Sequence, residues 1–279
     1  MRLQKNKILR RFIRRKLAVA GALLVAFVVI VALLGPFLVP HDPIKMNIRG
    51  SLQAPSGEHL LGTDHRGRDT LSRLVYGTGI SLKVGFLATG IALIVGVGLG
   101  AVSGYSGGLG DAAIMRAMDA LMAFPGILLA LALVAVLQPG ITSLVIAIGV
   151  VSTPRFSRIA RAAVLQKKSL DYVQAARALG KRHWSILASD IMPNCLSPII
   201  VQTTLTLPSS ILSEAALSFL GLGTPPPAPS WGRMLNEARG FMEINPELAI
   251  FPGVAIFITV LGFNLLGDGL RDVLDPRQS

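Results

Sequence analysis

Five stretches of this chain, each at least 20 residues long, carry no charged side chain. The first is Leu17 to Pro40, LAVAGALLVAFVVIVALLGPFLVP. About 20 apolar residues in a helix cross the hydrocarbon core of a bilayer, so this run can span. It is too long for the apolar part of a signal peptide, and no small-x-small cleavage site precedes His41, so the span is expected to be retained. Val84 to Gly110 follows, apolar as far as about Ser103. Ala120 to Pro154 is interrupted by Gln138-Pro139-Gly140, turn chemistry that divides it into two helices of a tight hairpin, the first starting near Arg116. Ile191 to Ser213 and Leu248 to Gly267 bring the expected total to six spans. Only 15% of residues are charged, against about 25% in soluble domains. The expected fold is therefore an all-α polytopic membrane protein.

Six spans place both termini on one side, and the distribution of Lys and Arg says which. Residues 1 to 16 hold eight basic residues and no acidic one. The loop from Pro154 to Cys195 holds Arg155, Arg158, Arg161, Lys167, Lys168, Arg177, Lys181 and Arg182. With Arg116, Arg271 and Arg277, that face carries 19 of the 27 Lys and Arg; residues 40–78 and 221–247 carry seven, and Lys83 sits at a boundary. Both termini and the 154–195 loop are expected to be cytoplasmic. The net charge of +12 thus reads as topology determinants and lipid headgroup contacts; no nucleic-acid module accompanies it, so none is expected as a partner.

Several chemistries have no motif here. There is no G-x-x-x-x-G-K-[ST] loop to cradle a nucleotide; Gly180-Lys181 is followed by Arg182. The string GVGLGAVSG lies inside a span, and Gly96, Gly100 and Gly104 recur every four residues, a stripe for close helix packing rather than a dinucleotide loop. His41, His59, His65 and His183 make no HExxH or HxH pair, so no metal site is expected, and Cys195 is the only cysteine. No catalytic residues are expected. A secondary transporter usually buries ionisable groups near the midplane, but these spans hold almost none. Asp119 lies near the cytoplasmic end of span three and Glu214 near the outer end of span five; either snorkels to an interface, or else lines a path or a subunit interface.

Ser169 to Gly180, SLDYVQAARALG, reads as a short helix. Ser169 is its expected N-cap, Asp171 favours the first turn, and Gly180 ends it in the left-handed region. Tyr172, Ala175, Ala176 and Leu179 form one apolar stripe. So short a helix needs something packed on it, its own bundle or a partner, and the residues alone leave both open.

This loop resembles the EAA loop of ABC importer permeases, E-A-A, three residues, G, nine residues and I-x-L-P. Here Gln174-Ala175-Ala176, Gly180 and Asp190-Ile191-Met192-Pro193 stand at that spacing, with Gln174, Asp190 and Met192 departing from it. His59 to Leu82, HLLGTDHRGRDTLSRLVYGTGISL, is similar to the region before the second span in peptide and nickel importer permeases, apart from Gly79 where a basic residue is usual. Glu214 to Leu235 and Phe251 to Arg277 are similar to the end of the second, C-type, permease of that family.

The resemblance implies the type I ABC importer permease fold: residues 1–78 as basic tail, first span and outer loop, 79–268 as a five-helix core with the 154–195 coupling loop, and 269–279 as a tail. It implies a peptide importer in the bacterial cytoplasmic membrane working by alternating access. Nickel, glutathione or another small solute are alternatives, and a self-contained channel or secondary transporter is the reading from a different class. Implied partners are a homologous permease, two ATPase subunits carrying ATP and Mg, a periplasmic or lipoprotein substrate-binding protein, and lipid. Tyr172, Gln174, Ala175, Ala176, Leu179, Gly180 and Pro193 are the implied ATPase-coupling residues. Thr224 to Trp231, TPPPAPSW, reads as a stiff extended segment, a rigid turn or a docking surface for the binding protein, with Trp231 an interfacial anchor. Leu71, Leu74 and Val75 mark a short amphipathic stretch along the outer interface or against the bundle.

Overall fold

A computed structural model describes residues 12–13 and 15–274, so most of the basic run at 1–16, and Arg277, lie outside the described residues. Helix α1, Lys16–Leu38, is the first span. Helix α2, Thr70–Ser106, has 37 residues, about 55 Å, and so extends well beyond a hydrocarbon core of roughly 30 Å. Asp69 caps it, accepting the Ser72 amide at 2.7 Å. Leu71, Leu74 and Val75 are the first turns of this helix, with Leu74 packed against the bundle as one of the two readings had it, and the expected core boundary at residue 79 falls inside the helix.

Helices α3, Gly108–Met122, and α4, Gly126–Leu137, are bent by 92° at their junction, where a single straight helix was expected. Pro125 lacks the amide to carry the helix on, and α3 is tied sideways to α5, Ile141–Lys168, by Asp111–Arg161 and Asp119–Arg158, each at 2.6 Å. The hairpin at residues 138–140 is as expected. Helix α5 runs through Pro154 to Lys168, so residues 154–168 are helix, not loop. Arg155, Arg158 and Arg161 recur every third residue on its open side while Phe156, Ala160 and Val164 are buried.

Helix α6, Asp171–Ala178, precedes a continuous run from His183 to Phe219. That run opens with one turn, His183–Ser185, widens to a π turn, Ile186–Ile191, tightens to a 3-10 turn, Met192–Cys195, and settles into α7, Leu196–Phe219. Helix α8, Trp231–Ala238, and the last span α9, Glu247–Leu274, complete the bundle. Counting α3 and α4 as one broken span, six segments can cross a membrane.

The glycine stripe sets the tightest packing. A Cβ on Gly96, Gly100 or Gly104 would stand 2.6, 2.2 and 2.8 Å from the carbonyl oxygens of Thr153, Ser157 and Arg161 on α5. Only hydrogen at these positions lets the two backbones approach so closely. Helix α1 joins α9 in the same way, for a Cβ on Gly21 would lie 2.6 Å from Leu266 N. Arg15 also bonds Asp272, which brings the start of α1 and the end of α9 to the same end of the bundle.

Candidate functional site

At that end, which carries the basic residues, α6 lies across the bundle. Its inward residue is Val173, fully buried against Val164, Ile186, Ile191, Cys195 and Ile199, with Ala176 half-buried beside it. The expected stripe is therefore rotated. Tyr172 and Leu179 are 42% and 87% exposed, and Ala175 faces out with them. The helix folds back on its own bundle through Val173 and still presents an uncovered apolar edge, while Trp184, 70% exposed, lines a separate hollow with Tyr105, Arg177 and His183.

Ser169 does not cap α6; it closes the preceding helix, and Leu170 occupies the cap position without a side-chain bond. Gly180 does end the helix, at φ +75°, with Gly180 N donating to Arg177 O at 2.9 Å and Lys181 N to Ala176 O at 3.1 Å. This pair of bonds is the Schellman arrangement that glycine adopts without strain. Gln174 Nε2 reaches back to Lys168 O at 3.4 Å, and Pro193 is exposed at the start of the 3-10 turn. Asp190, a departure from the EAA pattern, accepts from Lys181 Nζ at 2.8 Å and ties the exit of α6 to the π turn.

Sequence spacing missed the group beneath α6. Tyr105, at the end of α2, hydrogen-bonds His183 Nδ1 at 2.8 Å. Arg177 and Lys168 lie 5.4 and 5.5 Å from its ring centroid, and Lys168 also donates to the Tyr105 carbonyl. The second span is thereby connected directly to α6. Tyr105 is separated from its partners by more than 60 residues and carries no local signal.

Of the two candidate path residues, Asp119 pairs with Arg158 near the basic end, both about half exposed. Glu214 does not snorkel. It is fully buried; Oε1 accepts the Ser218 hydroxyl at 2.7 Å, and Oε2 makes no hydrogen bond. Ser81 and Ser230, its other neighbours, receive the Trp231 and Arg233 amides. Trp231 is 1% exposed, its indole donating to Leu74 O at 3.2 Å, so it is a core residue rather than an interfacial anchor. Thr224–Ser230 turns at Pro226–Pro227 instead of running extended. At this opposite end, Asp64 and Glu237 bind the guanidinium groups of Arg68 and Arg73 at 2.6–3.3 Å, joining the 62–69 turns to α8. Arg233 adds a third guanidinium to Glu237 at 3.1 Å.

A helical bundle with one broken span, a short helix laid across its basic end and an extra N-terminal span is the architecture of an ABC importer permease. Two solved structures share the fold. They are an inward-facing MetNI methionine ABC transporter, with TM-score 0.60 and 18% identity over 73% of this chain and 96% of that one, and an amino acid ABC transporter with histidines, with TM-score 0.56 and 20% identity over 72% and 93%.

The chain belongs to the family described as binding-protein-dependent transport system inner membrane component, whose model matches residues 96–279. The N-terminal TM domain of oligopeptide transport permease C matches residues 6–55. Similar relatives include the glutathione transport system permease protein GsiD of Pectobacterium atrosepticum, 46% identical over 96% of this chain and 89% of the relative. The dipeptide transport system permease protein DppC of Alkalihalophilus pseudofirmus is 44% identical over 95% and 87%. The chain is accordingly a multi-pass transport subunit of a bacterial inner membrane.

Proposed function

We propose that this chain is one of two homologous permease subunits of an ATP-driven importer for di- or oligopeptides, glutathione being the nearest alternative cargo. The observation that carries the cargo class is identity of 44–46% across almost the whole chain to permeases named for a dipeptide and a tripeptide. ATP and Mg belong on two partner ATPases, since this chain has no phosphate loop. A substrate-binding protein delivers peptide at the end formed by residues 39–69 and 220–246, which faces outward if the basic end is cytoplasmic.

The exposed edge of α6, Tyr172, Ala175 and Leu179, is where an ATPase subunit docks. Closure of the ATPase pair pushes on α6, and two connections carry the movement into the spans. One is Tyr105, at the end of α2; the other is the Lys181–Asp190 pair, at the π turn that leads into α7. The π turn is a defect that can be repacked, because its residues are not committed to one regular ladder. Alternating access follows as the two arrangements of the bundle exchange. Lys83 is exposed on α2 and has no hydrogen bond or ion pair among the described residues. At the membrane boundary an open charge can reach water or a partner, which suits it to the peptide's carboxylate.

The test is reconstitution. Tagged chain is purified from native membranes, co-purifying proteins are identified by mass spectrometry, and the assembly is placed in liposomes with labelled dipeptide. ATP-dependent uptake that needs the ATPases and binding protein supports the reading. Uptake by this chain alone would replace it with a channel or secondary transporter.

A further inference from the structure

We propose that His41, Glu58 and His59 form a site for a divalent transition-metal ion, zinc by its donor set, which clamps the segment just after α1 to the turn at residues 56–59. A ring nitrogen from each histidine and a Glu58 carboxylate oxygen all lie within 4.8 Å of one another. Zinc–ligand bonds of about 2.1 Å put neighbouring ligand atoms of a tetrahedral site ~3.4 Å apart. His41 is half-buried and Glu58 exposed, so the remaining closure falls to these two side chains.

The surroundings are already arranged as support for an ion. The two imidazoles are 4.6 Å apart between centroids. His59 Nδ1 lies 2.9 Å from Asp69 Oδ1. With Nδ1 facing this carboxylate, Nε2 is the ring nitrogen left for a metal. A carboxylate behind the imidazole is the support metal-binding histidines generally have. His41 Nδ1 is enclosed 3.7 Å from the same oxygen and makes no hydrogen bond.

Backbone bonds fix the positions. The Ser56 amide donates to His59 O at 2.8 Å and the His59 amide to Ser56 Oγ at 3.1 Å, a turn that sets Glu58 beside His59. The His41 amide donates to Ser72 Oγ at 3.3 Å, in the first turn of α2. Two imidazoles and one carboxylate suit zinc and its neighbours, whereas magnesium and calcium take oxygen. A second grouping, Asp64, His65 and Glu237, has comparable spacing, but its carboxylates already bind three guanidinium groups that a cation would have to displace.

The experiment uses the assembled transporter in nanodiscs, stripped with EDTA. Zinc is titrated in competition with a chromophoric chelator, and cobalt is followed by its visible absorption. One ion per copy of this chain is expected to bind to the wild type beyond whatever the H41Q assembly takes up. E58Q should weaken it at least ~10-fold and H65A should leave it unchanged. Glu58 is exposed, so E58Q should match the wild type in thermal unfolding under EDTA and fall behind it with zinc present. Equal zinc affinity in wild type, H41Q and E58Q, or loss of the ion in H65A, overturns the site. Neither result bears on the transported solute.

Discussion

Glu214 has hydroxyl groups around it and no ion-pair partner among the described residues, so its value to the fold is what it accepts. Glu214→Leu leaves the Ser218 hydroxyl without its acceptor and should cost about 1–3 kcal/mol in thermal unfolding of the detergent-solubilised chain, while Glu214→Gln keeps an acceptor and should cost less. If both variants unfold like the wild type but transport fails, Glu214 belongs to the path instead. Asp69 is the other single residue on which much depends, because it caps α2 and orients His59. Asp69→Ala should destabilise by about 1 kcal/mol. The pH dependence has a definite sign. Its folded pKa lies below the ordinary 3.8, so the stabilisation is complete above that value and is lost as pH falls through the folded one. Melting curves from pH 3 to 7 should therefore separate wild type from variant at neutral pH and converge in acid.

The short helix α6 shows what an element can and cannot announce. Its C-terminal end was legible, though its N-cap was not: Gly180 stops it as glycine at positive φ should, and the spacing to Pro193 marks the turn beyond. Its facing was not. Helical periodicity identifies which residues share a side, and both Val173 with Ala176 and Tyr172 with Ala175 and Leu179 satisfy it. Val173 fits the hollow left by Ile186, Ile191 and Cys195, and nothing local encodes that hollow. Gly180→Val places a β-branched residue at φ +75°, where its Cβ meets no neighbour but its backbone is strained. The expected result is membrane-inserted protein with ATPase activity no longer matched to uptake. Ala176→Asp should do the same by putting a charge against the Val173 cluster. Uptake unchanged in both would remove α6 from the coupling path.

For the whole molecule, the sidedness of the bundle is the quantity that decides where peptide and ATP meet it. The sole cysteine, Cys195, is buried, so a Cys195→Ser background gives clean single-cysteine reporters. A cysteine at the exposed Ser56 should react with an impermeant maleimide on intact cells, and one at the exposed Ser169 only after permeabilisation. The reverse pattern would invert the importer. Six apolar segments, the 138–140 hairpin and the Gly96–Gly100–Gly104 packing face followed from sequence alone, because hydrophobicity and backbone clearance are properties of a residue and its immediate spacing. The bend between α3 and α4, the burial of Trp231 and Glu214, and the meeting of His41 with Glu58 and His59 did not. Pro125 apart, each depends largely on groups brought together from distant parts of the chain, and packing of the helices against one another sets which side chains are enclosed and which partners they find.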